Sequence, residues 1–267
     1  MRHDLRVVLA VLGLGVAACS HDPQIMEPPG SNTMSKVSEK AARTPQESAK
    51  VWVQRGQHYL ELGKLQIAKD DLLKALKFDP KSVDAHTVLA TLYDRVGDRT
   101  SAEQHYREAA DLSPTTGATN NNYALYLCKL GKFDQAQKRF DVAKADGFYT
   151  SQDLVYLNSG TCILLAKGSR DAAEADFRRA IEINPNNAQA LYQLASVLYE
   201  KDDYFKARAF IQRYDALNQP SPDALLLARN IEVKLGNAEG ARDYGQRLRD
   251  QFPESAQTHS LDAASSH

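Results

Sequence analysis

The chain has 267 residues, of which 43% are hydrophobic and 25% are charged, and its formal net charge at pH 7 is −1. A balance this close to neutral excludes the basic footprint of a nucleic-acid-binding protein and gives no electrostatic reason for adsorption to anionic lipid. The apolar fraction suffices for a helical core, although the length alone fits one domain or two.

The N-terminus carries the pattern of an exported protein. Arg2 and Arg6 precede an apolar run over residues 7–18, which ends at Cys19. That run of about twelve residues is short of the roughly 20 that a transmembrane helix needs. It predicts a signal peptide over residues 1–18.

Val16-Ala17-Ala18-Cys19 resembles the lipobox of bacterial lipoproteins. The resemblance implies that Cys19 is acylated and becomes the first residue of the mature protein. The alternative is an ordinary signal peptide cut at an A-x-A-like site, with Cys19 incidental. Ser20 stands where an Asp would oppose sorting to the outer membrane. Since two or more acyl chains anchor a protein stably, we expect outer-membrane attachment through lipid without a membrane span.

Two segments outside the main body lack apolar periodicity. Residues 19–48, which contain the lipidated Cys19 and several Pro, Gly, Ser and Asn residues, are predicted to form a flexible tether. Residues 256–267 are small and polar, and they are predicted to be a disordered tail.

An internal repeat dominates the region between these segments. Alanines recur at intervals of 34 residues, with one interval of 37, at Ala68, Ala102, Ala136, Ala173, Ala207 and Ala241. In the first unit, Trp52, Gly56 and Tyr59 stand where the signature W-x2-L-G-x2-Y requires them. The pattern resembles the tetratricopeptide repeat (TPR), a helix-turn-helix unit.

Six units follow, at residues 49–82, 83–116, 117–150, 154–187, 188–221 and 222–255. Small residues let the two helices of a unit approach closely, while aromatic residues such as Phe140 and Phe177 fill the space beside them. One unit cannot bury its apolar face alone, so about three or more must stack. We therefore predict an all-α fold, a TPR solenoid that forms a right-handed superhelix.

Two cysteines remain after Cys19. Cys128 and Cys162 lie in the first helices of the third and fourth repeats, at positions that differ by one helical turn on one face. In an oxidising compartment the two could form a disulfide across the seam between these repeats. The alternative is two buried thiols that act as small hydrophobic side chains.

Motifs of catalysis and metal binding are absent from the sequence. There is no H-E-x-x-H, G-x-S-x-G, Walker loop or CxxC. The expected function is accordingly non-enzymatic, with no catalytic residue, no metal, no cofactor and no small-molecule substrate.

Repeat geometry predicts the binding surface. First helices of TPR units line the concave side, with repeat positions 2, 5, 9 and 12 pointing inward. Among these positions we expect the partner to contact Val53, Leu60, Asn121, Leu125, Asn158, Tyr192, Tyr199 and Asn230. Apolar residues beside amides suit an extended or helical protein segment. The alternative is that this face is only solvated and partners use an edge or the convex side.

The complete layout resembles the PilW/PilF family of type IV pilus biogenesis lipoproteins. The residues that carry the resemblance are Asn121-Asn122-Tyr123-Ala124, Asn158-x-Gly160-x-Cys162 and Leu248-x-x-x-Phe252-Pro253. The resemblance implies a pilotin, an assembly factor that binds the outer-membrane secretin of the pilus system and promotes its localisation and multimerisation. The alternative is a periplasmic TPR scaffold lipoprotein for peptidoglycan hydrolases or outer-membrane assembly.

Overall fold

A computed structural model describes residues 44–265, which form helices joined by short turns. We number these helices α1 Pro45–Glu61, α2 Leu65–Phe78, α3 Val83–Arg95, α4 Arg99–Leu112, α5 Gly117–Lys129, α6 Phe133–Ala145, α7 Gln152–Leu165, α8 Arg170–Ile183, α9 Ala188–Glu200, α10 Tyr204–Asp215, α11 Pro222–Lys234, α12 Ala238–Gln251 and α13 Ala256–Ser265. No helix within this part of the chain is both long enough and apolar enough to cross a membrane.

The helices pair in sequence order, and the pairs stack. Each odd-numbered helix from α1 to α11 packs against the helix that follows it, and each second helix also contacts the first helix of the next pair. First helices contact one another along the stack, as α1 does with α3 and α5 does with α7. The prediction of an all-α TPR solenoid with six repeats is confirmed.

The recurring alanines mark the contact between the two helices of a repeat. The first five, from Ala68 to Ala207, are fully buried. Gly56 lies just as close to its neighbour, since a Cβ atom added there would lie 2.7 Å from Leu72 Cγ. Ala241 is half-buried because the sixth repeat is the last in the stack.

The N-terminal boundary differs from the predicted tether. Helix α1 begins at Pro45, so residues 45–48 are helical. A capping box explains the early start, because Thr44 Oγ1 accepts from Glu47 N at 3.1 Å while Glu47 Oε2 accepts from Thr44 N at 2.8 Å. The predicted signal peptide, Cys19 and residues 20–43 of the tether lie outside the described residues.

The longer interval in the alanine series lengthens a first helix. We expected the fourth repeat to begin at residue 154, whereas α7 begins at Gln152. The Asp153 carboxylate is buried and accepts from Asn184 Nδ2 and Asn187 Nδ2, both at 2.9 Å. The added residues therefore fasten α7 to the turn between α8 and α9.

The predicted disordered tail is wrong for most of its length. Residues 256–265 form helix α13, in which Leu261 is only 5% exposed. Leu261 packs in one cluster with Leu225 and Leu248 of the sixth repeat. The final TPR would otherwise leave this apolar surface in water, and a single leucine with small flanking residues suffices to cover it.

Candidate protein-binding groove

A groove of about 660 Å³ runs across the first helices of repeats one to three. Helices α1, α3 and α5 form its walls. Its lining consists of Lys50, Val53, Gln54, Gln57, Leu60, Glu61, Asp84, Thr87, Val88, Thr91, Arg95, Ala118, Thr119 and Asn122. We call this surface the N-terminal groove.

The repeat register explains most of this lining. Eight of the residues occupy the inward positions of the TPR unit, namely Lys50, Val53, Gln57, Leu60, Asp84, Thr87, Thr91 and Ala118. Of the partner-binding residues that we predicted, Val53 and Leu60 lie in the groove. Both are 6% exposed, so they form its floor.

Charge in the N-terminal groove is balanced. The lining contains two cationic side chains, Lys50 and Arg95, and two carboxylates, Glu61 and Asp84. Arg95 also donates from Nη1 to the carbonyl oxygen of Leu60 at 2.6 Å, which ties the second repeat to the end of α1. A groove with as many carboxylates as cations does not select an acidic chain terminus. It fits a protein segment with both polar and apolar side chains.

Two of the threonine hydroxyl groups in the lining already have hydrogen-bond partners. Thr87 Oγ1 donates to the Val83 carbonyl at 2.9 Å, and Thr91 Oγ1 donates to the Thr87 carbonyl at 3.1 Å. Thr91 Oγ1 also lies 3.3 Å from the hydroxyl of Tyr106, whose pKa is raised by burial. The exposed amide of Gln54 is therefore well placed to bond a partner's backbone, as is that of Gln57, which keeps donor and acceptor capacity beyond its 3.3 Å bond to Glu61.

Asn121 and Asn158 come together in the structure, but they bond each other. Asn158 Nδ2 donates to Asn121 Oδ1 at 3.1 Å, and Asn121 is only 5% exposed. The pair joins α5 to α7 across the seam between repeats three and four. Its geometry makes it a link between repeats, and it lies outside the lining of the N-terminal groove.

The other predicted contact residues do not gather in one site. Leu125 on α5 is 41% exposed. Tyr192 is half-buried, with its ring centroid 6.2 Å from that of Tyr214, and burial together with the Asp223 carboxylate raises its pKa. Tyr199 lies 5.5 Å from the Tyr204 ring, and Asn230 Oδ1 accepts from the neighbouring Arg229.

Cys128 and Cys162 form a disulfide in the structure, with their Cα atoms 5.9 Å apart. That separation lies within the usual range for bridged cysteines. The bridge joins α5 to α7 on the seam that also holds the Asn121–Asn158 pair. Two independent links therefore fasten the third repeat to the fourth.

Sequence reasoning missed six residues of the groove. They flank the inward positions, at Gln54, Glu61, Val88, Arg95, Thr119 and Asn122. Gln54 and Val88 each lie next to an inward position, and Glu61 and Arg95 stand at the C-terminal ends of α1 and α3. A helix face is wider than four positions, so neighbours of the inward set could have been included from the sequence.

The fold and the groove define a class, a TPR protein with an open groove across its first helices. Residues 53–115 and 164–231 match family models described as tetratricopeptide repeat. The type IV pilus assembly protein PilF of Pseudomonas aeruginosa is 28% identical over 207 residues, which span 78% of this chain and 82% of PilF. An uncharacterised protein of Haemophilus influenzae is 33% identical over 149 residues, covering 56% of this chain and 83% of that protein.

Solved structures agree with these relatives. A structure of Pseudomonas aeruginosa PilF superposes with a TM-score of 0.75 and 26% identity, covering 82% of this chain and 99% of PilF. The crystal structure of PilW, described as a widely conserved type IV pilus biogenesis factor, gives a TM-score of 0.72 and 28% identity over 80% of this chain and 97% of PilW. The chain belongs to the PilW/PilF family of TPR proteins.

Proposed function

We propose that this protein is a non-enzymatic assembly factor of the type IV pilus, a pilotin that promotes the localisation and multimerisation of the outer-membrane secretin. The observation that carries the proposal is the match to PilF and PilW over nearly their whole folded length. A match of that extent includes the number and order of the repeats as well as the TPR unit itself.

The N-terminal groove is the proposed docking surface for the secretin. Its apolar floor, at Val53 and Leu60, lies between exposed amides and balanced charges. A bound segment would place apolar side chains against the floor and its backbone against Gln54 and Gln57. The remaining predicted residues of the concave side, such as Tyr192 and Tyr199, would extend the contact along later repeats.

Membrane attachment is the second part of the proposal. Cys19 would carry the lipid that holds the protein on the outer membrane, with the TPR domain in the periplasm. The supporting observation is the order of charged, apolar and small residues before Cys19. Replacement Cys19→Ala should abolish incorporation of radiolabelled palmitate and remove the protein from the outer-membrane fraction. Normal incorporation by this variant would contradict the assignment.

A deletion strain tests the proposed function as a whole. Loss of the protein should remove surface pili and leave the secretin monomeric or mislocalised, and the wild-type gene should restore both. Normal secretin multimers together with defects in the cell wall or in outer-membrane assembly would favour the alternative of an envelope scaffold.

A further inference from the structure

A second surface lies on the second helices of repeats four and five, apart from the N-terminal groove. Helices α8 and α10 form a cleft there of about 300 Å³. Its lining consists of Arg178, Ile181, Glu182, Pro185, Phe210 and Arg213. A volume at the lower limit of ligand pockets holds one or two side chains. We call it the α8–α10 cleft.

The repeat register shows that stacking does not require this apolar lining. Ile181 lies eight residues after the alanine of repeat four, and Phe210 lies three residues after that of repeat five. The same two positions at the other four seams hold Leu76 with His105, Ala110 with Arg139, Lys144 with Asp176, and Asp215 with Tyr244. At least one member of each of those pairs is charged or is a histidine. Only this seam joins two large side chains without a titratable group.

The seam between repeats three and four shows what the cleft replaces. There, Lys144 Nζ bonds both carboxylate oxygens of Asp176 at 2.8 Å, and this ion pair bridges the two repeats. In the α8–α10 cleft Ile181 and Phe210 stand at the same positions in place of the ion pair. They form an apolar floor in which Ile181 is 6% exposed and Phe210 is half-buried.

The rim of the cleft carries more positive than negative charge. Guanidinium groups of Arg178 and Arg213 lie 5.4 Å and 5.5 Å from the centroid of the Phe210 ring. Arg178 Nε donates to Glu174 Oε1 at 2.8 Å, and Glu182 is engaged by Arg179 at the same distance. Arg213 bonds the carbonyl of Pro185 at 3.2 Å and forms no ion pair within residues 44–265.

We propose that the α8–α10 cleft binds a protein segment in which a carboxylate neighbours an apolar side chain. The apolar side chain would lie on Ile181 and Phe210, and the carboxylate would accept from Arg213. Arginine and aromatic residues around a small pocket are the composition found at the energetic centres of protein interfaces. This surface is independent of the N-terminal groove, so the protein would contact two segments at once.

A membrane is a poorer fit for this cleft. Attraction to anionic lipid needs several uncompensated cations on one face, whereas here Arg178 and Arg179 are neutralised by Glu174 and Glu182. A single unmatched guanidinium beside a concave apolar floor recognises one carboxylate. Protein segments supply that group together with an apolar neighbour.

Two variants test the proposal with little risk to the fold. Phe210→Asp places an aspartate at a repeat position that is already aspartate in two other repeats, at Asp71 and Asp176. In both of those repeats a cation pairs with the carboxylate. Arg213→Glu changes an exposed side chain and reverses its charge. Phe148→Asp is the matched control, because Phe148 is 99% exposed and lies in the loop before α7.

The probe is a fluorescent twelve-residue peptide in which acidic residues flank two phenylalanines, titrated against the full chain purified in detergent. It should bind about tenfold more tightly than the same peptide with lysine in place of each acidic residue. Phe210→Asp and Arg213→Glu should each weaken binding by about tenfold, while Phe148→Asp should not change it.

Several outcomes would overturn the proposal. One is equal binding of the acidic and lysine peptides, and another is unchanged binding by both cleft variants with intact helicity. If phosphatidylglycerol in mixed micelles bound in a Phe210-dependent manner and the peptide did not, the surface would belong to the membrane. A dimer lost on Phe210→Asp, without peptide binding, would make the cleft an interface between copies of this chain.

Discussion

Small residues at fixed positions decide how closely the two helices of each repeat approach. Gly160 on α7 is the clearest case, since an added Cβ would lie 2.7 Å from Cε1 of the fully buried Phe177 ring. Neither the ring nor its surroundings can move without opening the core of repeat four. This explains why a glycine stands within a helix, where it otherwise costs about 1 kcal/mol relative to alanine.

Gly160→Ala should therefore destabilise the protein despite the better helix propensity of alanine. We expect a loss of about 1–3 kcal/mol in the free energy of unfolding, measured by urea denaturation. Gly147→Ala is the control, because an added Cβ there meets nothing within 4 Å. Equal stability of the two variants would mean that the close approach in repeat four is not a real constraint.

A histidine pair gives the second repeat a dependence on pH. His86 Nε2 lies 3.1 Å from the carbonyl oxygen of Pro80, which can only accept, so this nitrogen carries the proton. In neutral His86 the other nitrogen, Nδ1, then accepts from His105 Nδ1 at 2.9 Å. Protonation of His86 would leave two N–H groups facing each other. Burial, together with the neighbouring His86, lowers the pKa of His105 below its usual 6.5, against an opposing effect of Glu108.

The sign of the pH effect follows from that shift. The unfolded chain binds a proton at His105 at higher pH than the folded chain does. The contribution of His105 to the free energy of unfolding is therefore complete above pH 6.5, and it is lost as the pH falls through the lower pKa of the folded state. His105→Gln keeps a hydrogen-bond donor for His86, and it should reduce the loss of unfolding free energy between pH 7.5 and about 5. Urea denaturation of the wild type and the variant at several pH values measures this pH dependence of the free energy of unfolding. An unchanged pH dependence would exclude His105 as a source.

Among the elements, the seam between repeats three and four carries the disulfide. The Cys128–Cys162 bridge, the Asn121–Asn158 hydrogen bond and the Lys144–Asp176 ion pair all cross it. After the second helix, repeats one, two and four have a proline, at Pro80, Pro114 and Pro185, whereas the exposed Phe148 stands at that position in repeat three. The links hold together the one junction at which the 34-residue period is interrupted.

Removal of the bridge tests how much of this junction depends on it. Cys128→Ser with Cys162→Ser should lower the free energy of unfolding by about 2–4 kcal/mol under oxidising conditions. Reduction of the wild-type protein should bring its stability down to that of the double variant. Mass spectrometry of periplasmically produced protein should find the two peptides linked without reductant, and two freely alkylated thiols would refute the bridge.

Most element boundaries could be predicted because the repeat is periodic, and the exceptions have physical causes. The sequence did not predict helix α13, because its residues have little apolar periodicity. Leu261 is buried only by packing against Leu225 and Leu248. Seven of the groove residues on α1 and α3 occupy inward repeat positions, whereas the four that flank these positions were missed. The hydrogen bond of Asn121 could not be predicted, because the repeat position cannot show that Asn158 will bond its amide across the seam. Contacts between repeats depend on stacking, which the pattern within one repeat does not encode.

For the whole molecule, the structure separates two surfaces by repeat and by helix layer. The N-terminal groove belongs to the first helices of repeats one to three, and the α8–α10 cleft belongs to the second helices of repeats four and five. A solenoid of this kind can hold two protein segments without a change of its own shape, since its repeats contact only their neighbours. Such an arrangement suits an assembly factor.

We propose that the N-terminal groove captures the secretin. Gln57→Arg with Thr91→Arg would fill the groove with two bulky cations, using a residue that helices tolerate well. Gln66→Arg with Thr100→Arg makes the same replacements at exposed positions of second helices, and Gln66 bonds Asp70 much as Gln57 bonds Glu61. The two variants therefore differ in the face that they alter.

The deciding measurement is the fraction of secretin present as multimers in outer membranes of a deletion strain that produces each variant at equal level. The groove variant should leave this fraction at least about tenfold below wild type, because the two arginines would keep the apolar side chains of the secretin segment away from the floor of the groove. The matched variant should restore it fully. Full restoration by a folded groove variant, or equal loss with both, would contradict the assignment of secretin binding to this groove.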